Sequence, residues 1–153
     1  MNIFILDRDP KVAATMLCDK HVVKMIVETA QILCTAASKL GHEVPYRPTH
    51  AKHPCTIWVG ESQSNWNWLI EHGIAMCEEY TRRYNRTHKT QAVIEWCKSS
   101  DISPIVDTGL TPFRLSMPDQ YKCNDPIKSY RDYYIGEKSG FAKWKTAEPV
   151  WWK

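Results

Sequence analysis

The sequence predicts an all-α fold, and three observations carry that prediction. Apolar residues recur at helical spacing through Lys11–Leu40 and again from Pro54 to about Tyr84. Two cap-plus-proline signals, Asp9-Pro10 and Asp125-Pro126, mark helix starts. Strand-like alternation is nearly absent, the one short apolar run being Asn2–Leu6. At 153 residues the chain has the length of one domain, so residues 1–153 are expected to form a single helical unit with long loops.

The elements follow in order. After Asn2–Leu6, Asp9 caps a helix whose first residue is Pro10, and the helical pattern continues to Leu40 with a break near Cys18-Asp19, where Asp19 can cap a second start. Gly41 is a C-terminal stop. Residues 42–53 contain Pro45, Pro48 and three histidines and form a loop. Pro54 opens the next helical segment, with one break at Gly60 or Gly73. A shorter helix fits His88–Lys98 with Thr87 as its cap. Residues 99–124 hold Pro104, Gly109, Pro112 and Pro118 and are irregular. Asp125-Pro126 starts a last helix ending about Tyr134, and the tail from Gly136 to Lys153 is basic, aromatic and without periodicity.

Composition narrows the class. With 43% hydrophobic and 24% charged residues, the chain is neither disordered nor collagen-like nor low-complexity. Its apolar runs are too short to span a membrane. The start, Met1 to Leu6 followed by Asp7-Arg8-Asp9, lacks the basic opening of a signal peptide, so a soluble cytoplasmic protein is expected. The net charge of +3 is compatible with nucleic acid without demanding it. Six cysteines stand 16 to 26 residues apart with no C-x-x-C, which reads as reduced, mostly buried thiols.

Chemistry concentrates in three places. On the first long helix Val22, Ile26, Thr29, Leu33, Ala36 and Leu40 share a core face, while His21, Lys24, Glu28, Gln31 and Thr35 fall opposite within about 80°. A base, a cation and a carboxylate are thus stacked over two turns, although Lys24 and Glu28 are also an ordinary i,i+4 surface pair. The loop ending at Pro54 carries Arg47, His50, Lys52 and His53 just before a helix N-terminus, a natural place for a phosphate. The same histidines, with His21, Glu28 or Cys55, can instead supply metal ligands at loose spacing. The segment from Lys128 to Lys153 interleaves aromatic rings with cations, Arg131, Trp151 and Trp152 among them, as a nucleic-acid strand requires. Tyr130 and Tyr134, at i,i+4, are better explained as the core face of the last helix.

A resemblance adds to this. The block from Cys18 to Val23, with Glu28 seven residues after His21, resembles the first helix of the phage pyrimidine-dimer DNA glycosylases, the denV-type UV endonucleases. The segment His53-Pro54-Cys55-Thr56-Ile57 is similar to the start of that family's second helix, and Pro149-x-Trp151-Trp152-Lys153 to its aromatic-basic C-terminal motif. The chain also looks like phage and large-virus proteins of this size, which implies the host cytoplasm as its location.

The resemblance implies a reaction. In the family the chain's own α-amine attacks C1′ of a damaged nucleotide, the base leaves, an imine forms, and a helix-one glutamate assists both glycosyl cleavage and the β-elimination that nicks the strand. Carried over, the catalytic set is Met1, Asn2, His21 and Glu28, with Lys20, Lys24, Arg47, His50, Lys52, His53, Arg131, Trp151 and Trp152 holding double-stranded DNA. No cofactor, metal, membrane or obligatory protein partner is implied. An α-amine titrates near pH 8 in general, so part of it is neutral and nucleophilic where a lysine is almost wholly charged. A carboxylate beside C1′ stabilises positive charge developing on the sugar.

Three departures are visible. Residue 2 is Asn where the family exposes a threonine, so the amine is expected to stay on Met1. Val27 and Gln31 stand where the family helix carries arginines, leaving Lys24, Arg47 and Lys52 to replace them. Five extra residues precede the Asp-x-His block. The residues alone also leave open a metal-dependent phosphohydrolase using His21, Glu28, His50 and His53, and a non-catalytic nucleic-acid-binding helical module.

Overall fold

The computed structural model describes residues 1–153 and is helical throughout, with no strand. Six α-helices run α1 Pro10–Met16, α2 Asp19–Lys39, α3 Pro54–Glu61, α4 Gln63–Tyr84, α5 Gln91–Ser99 and α6 Pro126–Lys138, with a 3-10 turn at Asp119–Tyr121. No helix is long and apolar enough to cross a membrane. The centre is α4, against which α1, α2, α3 and α5 all pack.

Local sequence explains the starts of α1 and α6. Asp9 accepts from the Lys11 and Val12 amides ahead of Pro10, and Asp125 does the same for Ile127 and Lys128 ahead of Pro126. The core face expected on α2 is there: Val22, Ile26, Thr29, Leu33 and Ala36 are buried, and Leu40 is half-buried. Tyr130 and Tyr134 are fully buried on α6. Five of the six cysteines are buried free thiols, Cys123 being exposed. The core is one cluster of 31 hydrophobic side chains.

The α1–α2 break falls near Cys18-Asp19 as expected and the α3–α4 break falls elsewhere, each held by tertiary contacts. Asp19 is the first residue of α2 and does not cap it; the cap position is Cys18. The α1–α2 break is held by Arg83 of α4, which donates to the carbonyls of Thr15 (3.0 Å) and Leu17 (2.8 Å) and pairs with Asp19 (3.1 Å) and Glu79 (2.8 Å). A buried guanidinium therefore satisfies carbonyls that α1 leaves open. The α3–α4 break lies at Ser62, not at Gly60 or Gly73. Asp107, from the loop beyond α5, accepts from Ser62 Oγ, Ser64 Oγ and the Ser64 amide, so the start of α4 is capped from a distance in sequence.

Gly73 lies inside α4 because its neighbours leave no room for a side chain. A Cβ there would sit 3.1 Å from Ile94 Cγ2 of α5 and 3.2 Å from Thr29 Cγ2 of α2. Helix α5 starts at Gln91, with Thr90 and not Thr87 at the cap position, later than His88. His88 is held in the preceding turn, with Nε2 on the Val23 carbonyl and Nδ1 accepting from the Thr90 amide. Helix α6 runs one turn past Tyr134, and Gly136 leaves space for the ring of Tyr121, whose hydroxyl donates to Glu137.

The N-terminal segment sets up the site. Residues 2–6 are buried with no ladder partner, so their polar groups must be met otherwise. The Asn2 amide donates to Glu28 and the Ile3 amide to Asn2 Oδ1, while the Leu6 carbonyl accepts from Arg131 Nε. Apolar side chains bury the segment, and these bonds fix its register against α2 and α6.

Candidate active site

Threading of residues 2–6 brings the chain's α-amine to the polar face of α2. Glu28 Oε2 lies 3.8 Å from the Met1 amine and accepts from the Asn2 amide at 3.1 Å, while Oε1 lies 3.5 Å from Lys24 Nζ. Glu28 is largely covered, with 12% of its side chain exposed, so the carboxylate sits between two amines with little solvent around it. A cavity of about 230 Å³ opens here, lined by Met1, Asn2, Phe4, His21, Lys24, Met25 and Glu28 from the first two elements and by Ser116, Tyr133 and Lys138 from the C-terminal half.

His21 is a further titratable group of the cavity and is buried. Its ring stacks on Phe4 at 4.6 Å between centroids and meets Tyr134 and Phe141 edge-on. Nδ1 lies 2.8 Å from the Tyr134 hydroxyl. Burial, reinforced by the charges of Lys138 and Lys24, lowers its pKa to about 4, so at neutral pH the cavity holds a neutral imidazole. Asn2 is pinned as firmly, its side-chain Nδ2 donating to the Ser116 carbonyl at 2.8 Å.

The polar stripe of α2 is therefore not a solvated face. His21 and Thr35 are buried, Glu28 and Gln31 are half-buried, and Lys24 alone is exposed. Thr35 Oγ1 donates to the Thr49 carbonyl and accepts from the Thr49 amide, fastening the 42–53 loop to the far end of the stripe. That loop presents Arg47, His50 and Lys52 to solvent. His53 behaves differently. Its Nδ1 accepts from the Cys55 amide and so occupies part of the α3 N-terminus that the sequence offered to a phosphate. Its Nε2 faces Ser116 Oγ at 3.4 Å, and its pKa is lowered, first by burial and then by the charge of the nearby α-amine.

Lys20 is exposed one turn before Lys24, over the Phe141 ring. The remaining three residues expected to hold DNA are built into the fold. Arg131 donates to the Leu6 carbonyl, approaches Asp7 and stacks over Trp151. Trp151 and Trp152 are half-buried against Tyr134, and the Trp151 indole N–H points at Met16 Sδ. The tail as a whole closes over the start of α2, where the Lys143 carbonyl accepts from the Asp19 amide and Trp144 donates to the Met16 carbonyl.

Sequence reasoning missed Phe4 and Ser116, and had Tyr133 and Lys138 only within the C-terminal run of rings and cations, not beside the α-amine. Lys138 Nζ lies 4.8 Å from the Tyr133 ring centroid and 5.7 Å from that of Phe4, making a cation–π stack on the cavity wall. Its position one turn past Tyr134 was the available signal, hidden by ending the last helix too early. The histidine-based metal set does not assemble. No group of three or more His, Cys, Asp or Glu side chains comes together as a metal site, and Nδ1 of His50 is taken up by its neighbour Thr49.

A neutral imidazole, a shielded carboxylate and a primary amine thus share one opening, the parts needed for nucleophilic attack with acid–base assistance. A family profile described as pyrimidine dimer DNA glycosylase matches residues 1–92, the stretch that contains the α-amine, His21, Glu28 and the 42–53 loop. No curated protein and no solved structure matches the chain significantly.

Proposed function

The chain belongs to the pyrimidine dimer DNA glycosylase family, and from that premise we propose that it removes a damaged pyrimidine from double-stranded DNA through the α-amine of Met1 and then nicks the strand as an AP lyase. The observation that carries this reading is the 3.8 Å approach of the α-amine to Glu28 inside a cavity shared with His21.

The steps use groups already in place. The neutral amine attacks C1′, the C1′–N bond breaks with its electron pair leaving on the base, and the base takes up a proton. The attacking nitrogen loses a proton, and C1′–O4′ cleavage opens the sugar to an iminium as O4′ takes up a proton. Glu28 first stabilises positive charge on the sugar and then accepts a C2′ proton, expelling the 3′ phosphate by β-elimination. His21, neutral and desolvated, offers a hydrogen bond to the sugar or its phosphate.

Charge along α2 supports a duplex lying over this opening. Lys20 and Lys24 precede Glu28, and the loop bearing Arg47, His50 and Lys52 is tied to Thr35, so exposed cations flank the cavity along about 22 Å of helix. Lys138 adds a cation on the wall. A target nucleotide must leave the stack to reach the amine, and the cavity's aromatic wall of Phe4 and Tyr133 suits an extruded sugar and base.

The test is borohydride trapping on UV-irradiated, AP-site and undamaged duplexes. Reduction of an imine leaves a covalent adduct, which should form on the UV and AP duplexes and map by peptide mass to residue 1. Absence of both strand cleavage and adduct on every duplex would overturn the amine mechanism. An adduct on a lysine would move the nucleophile elsewhere.

A further inference from the structure

Tyr134 is fully buried on α6, 113 positions from His21 in sequence. Its hydroxyl has two close partners. The Cys18 backbone amide lies 2.9 Å away and can only donate, so it takes a lone pair of the phenol oxygen. The other partner is His21 Nδ1 at 2.8 Å. A hydroxyl carries one proton, and in this dry interior the acceptors near it are Nδ1 and the Cys18 thiol, of which the nitrogen is much the stronger. Were Nδ1 itself protonated, the phenol oxygen would accept twice and its own proton would be left with the Cys18 sulfur, a weak acceptor.

We infer that Tyr134 is a positioning residue for His21, donating to Nδ1 and thereby placing the imidazole's one proton on Nε2, where it serves the cavity as a hydrogen-bond donor. Independent features agree. Burial pushes the Tyr134 phenol far above its ordinary range, so it stays a donor. His21 lies in the first turn of α2, where the helix dipole disfavours a cation. Thr56 Oγ1 is the one fully buried side-chain polar atom lacking a partner, so Nε2, which has no protein partner, is open to the cavity that His21 lines. Which nitrogen of a histidine holds the proton is set by the bond made at the other, and here that bond reaches from α6 to α2.

The tautomer stands on geometry alone, whereas its use on a nucleotide rests on the glycosylase reading above. Long-range ¹H–¹⁵N correlation spectra of the ¹⁵N-labelled full chain at pH 7 should show His21 with a protonated Nε2 and a bare Nδ1. In Tyr134→Phe the preference should be lost, and single-turnover base release should fall on the order of 10–100-fold with DNA affinity little changed, as for other losses of an orienting partner. A wild-type spectrum with the proton on Nδ1, or on both nitrogens, overturns the assignment even if the variant does not fold. A variant that loses the tautomer yet keeps its full rate overturns the positioning role. If the wild type releases no base from any duplex, the glycosylase reading fails, while the spectrum still decides the tautomer.

Discussion

The backbone amide of Asn2 donates to Glu28 Oε2 across 3.1 Å, and the α-amine one residue earlier lies 3.8 Å from the same oxygen. The first peptide unit therefore lies across the carboxylate, and the amine has no freedom to wander. Its position is set by the burial of Ile3 to Leu6, a stretch that cannot shift without exposing apolar surface. An extension of a few residues ahead of Met1 should leave that burial intact while converting the amine into an amide. Imine trapping should then vanish, with melting temperature and DNA affinity close to those of the untagged chain. Trapping that survives the extension at full yield would exclude the α-amine as nucleophile.

Glu28→Gln keeps the shape and the Asn2 contact but removes the charge between the two amines. The rate of base release should drop by about 10²–10⁴, the usual scale for losing a general acid–base group, while affinity for a lesion duplex changes little. Measuring both on the same preparation separates chemistry from binding. An unchanged rate would reduce Glu28 to a structural ion-pair partner of Lys24.

How much of this was legible in the sequence divides along local and non-local lines. The caps at Asp9 and Asp125, the core face of α2 and the pairing of His21 with Glu28 on one face all follow from spacing within a single helix. The α3–α4 break could not, because Asp107, the residue that holds Ser62 and Ser64, comes from a loop more than forty residues later. Nor could the covering of the polar stripe, which needs residues 2–6 to cross α2 and α6 to lie over His21. Lys138 shows the intermediate case: its residue type was visible, but its place on the wall depends on one further turn of α6, stabilised by the fit of Tyr121 against Gly136. The terminal tryptophans belong with the non-local group, since their packing against Tyr134 and Met16 joins residues more than fifteen apart.

Arg83 is a stability residue of a kind no helical pattern reveals. Its buried guanidinium serves Thr15, Leu17, Asp19 and Glu79 together. Arg83→Met would orphan two carbonyls and leave Asp19 without its cation, although Arg82 still neutralises Glu79. The cost should be about 3 kcal/mol, the lower end for breaking a buried ion pair, read as a fall in the urea midpoint. Because the α1–α2 break carries His21 a few residues on, the variant should also lose base release at temperatures where it remains folded. A midpoint within a few tenths molar of wild type would show that water replaces the guanidinium.

Two buried histidines give the fold an acid-sensitive edge. His21 and His72 both have pKa values lowered to about 4, chiefly by burial, against about 6.5 when unfolded. Between those values the unfolded chain binds protons that the folded chain refuses, so stability is fully present above pH 6.5 and is lost as pH falls toward 4. The difference amounts to about 3 kcal/mol for each ring at the bottom of that window. His72 Nδ1 meets the Pro10 carbonyl and its ring stacks on Trp68, away from the cavity. His72→Asn keeps a donor for that carbonyl while removing the titration, so it should take about 3 kcal/mol off the fall in unfolding free energy between pH 7 and pH 4 and leave base release at pH 7 nearly unchanged. Urea titrations at half-unit pH steps would show it. A wild-type stability flat from pH 7 to pH 4 would mean that water or local opening protonates both rings without unfolding the chain, and that the dry environment assigned to His21 does not persist in solution.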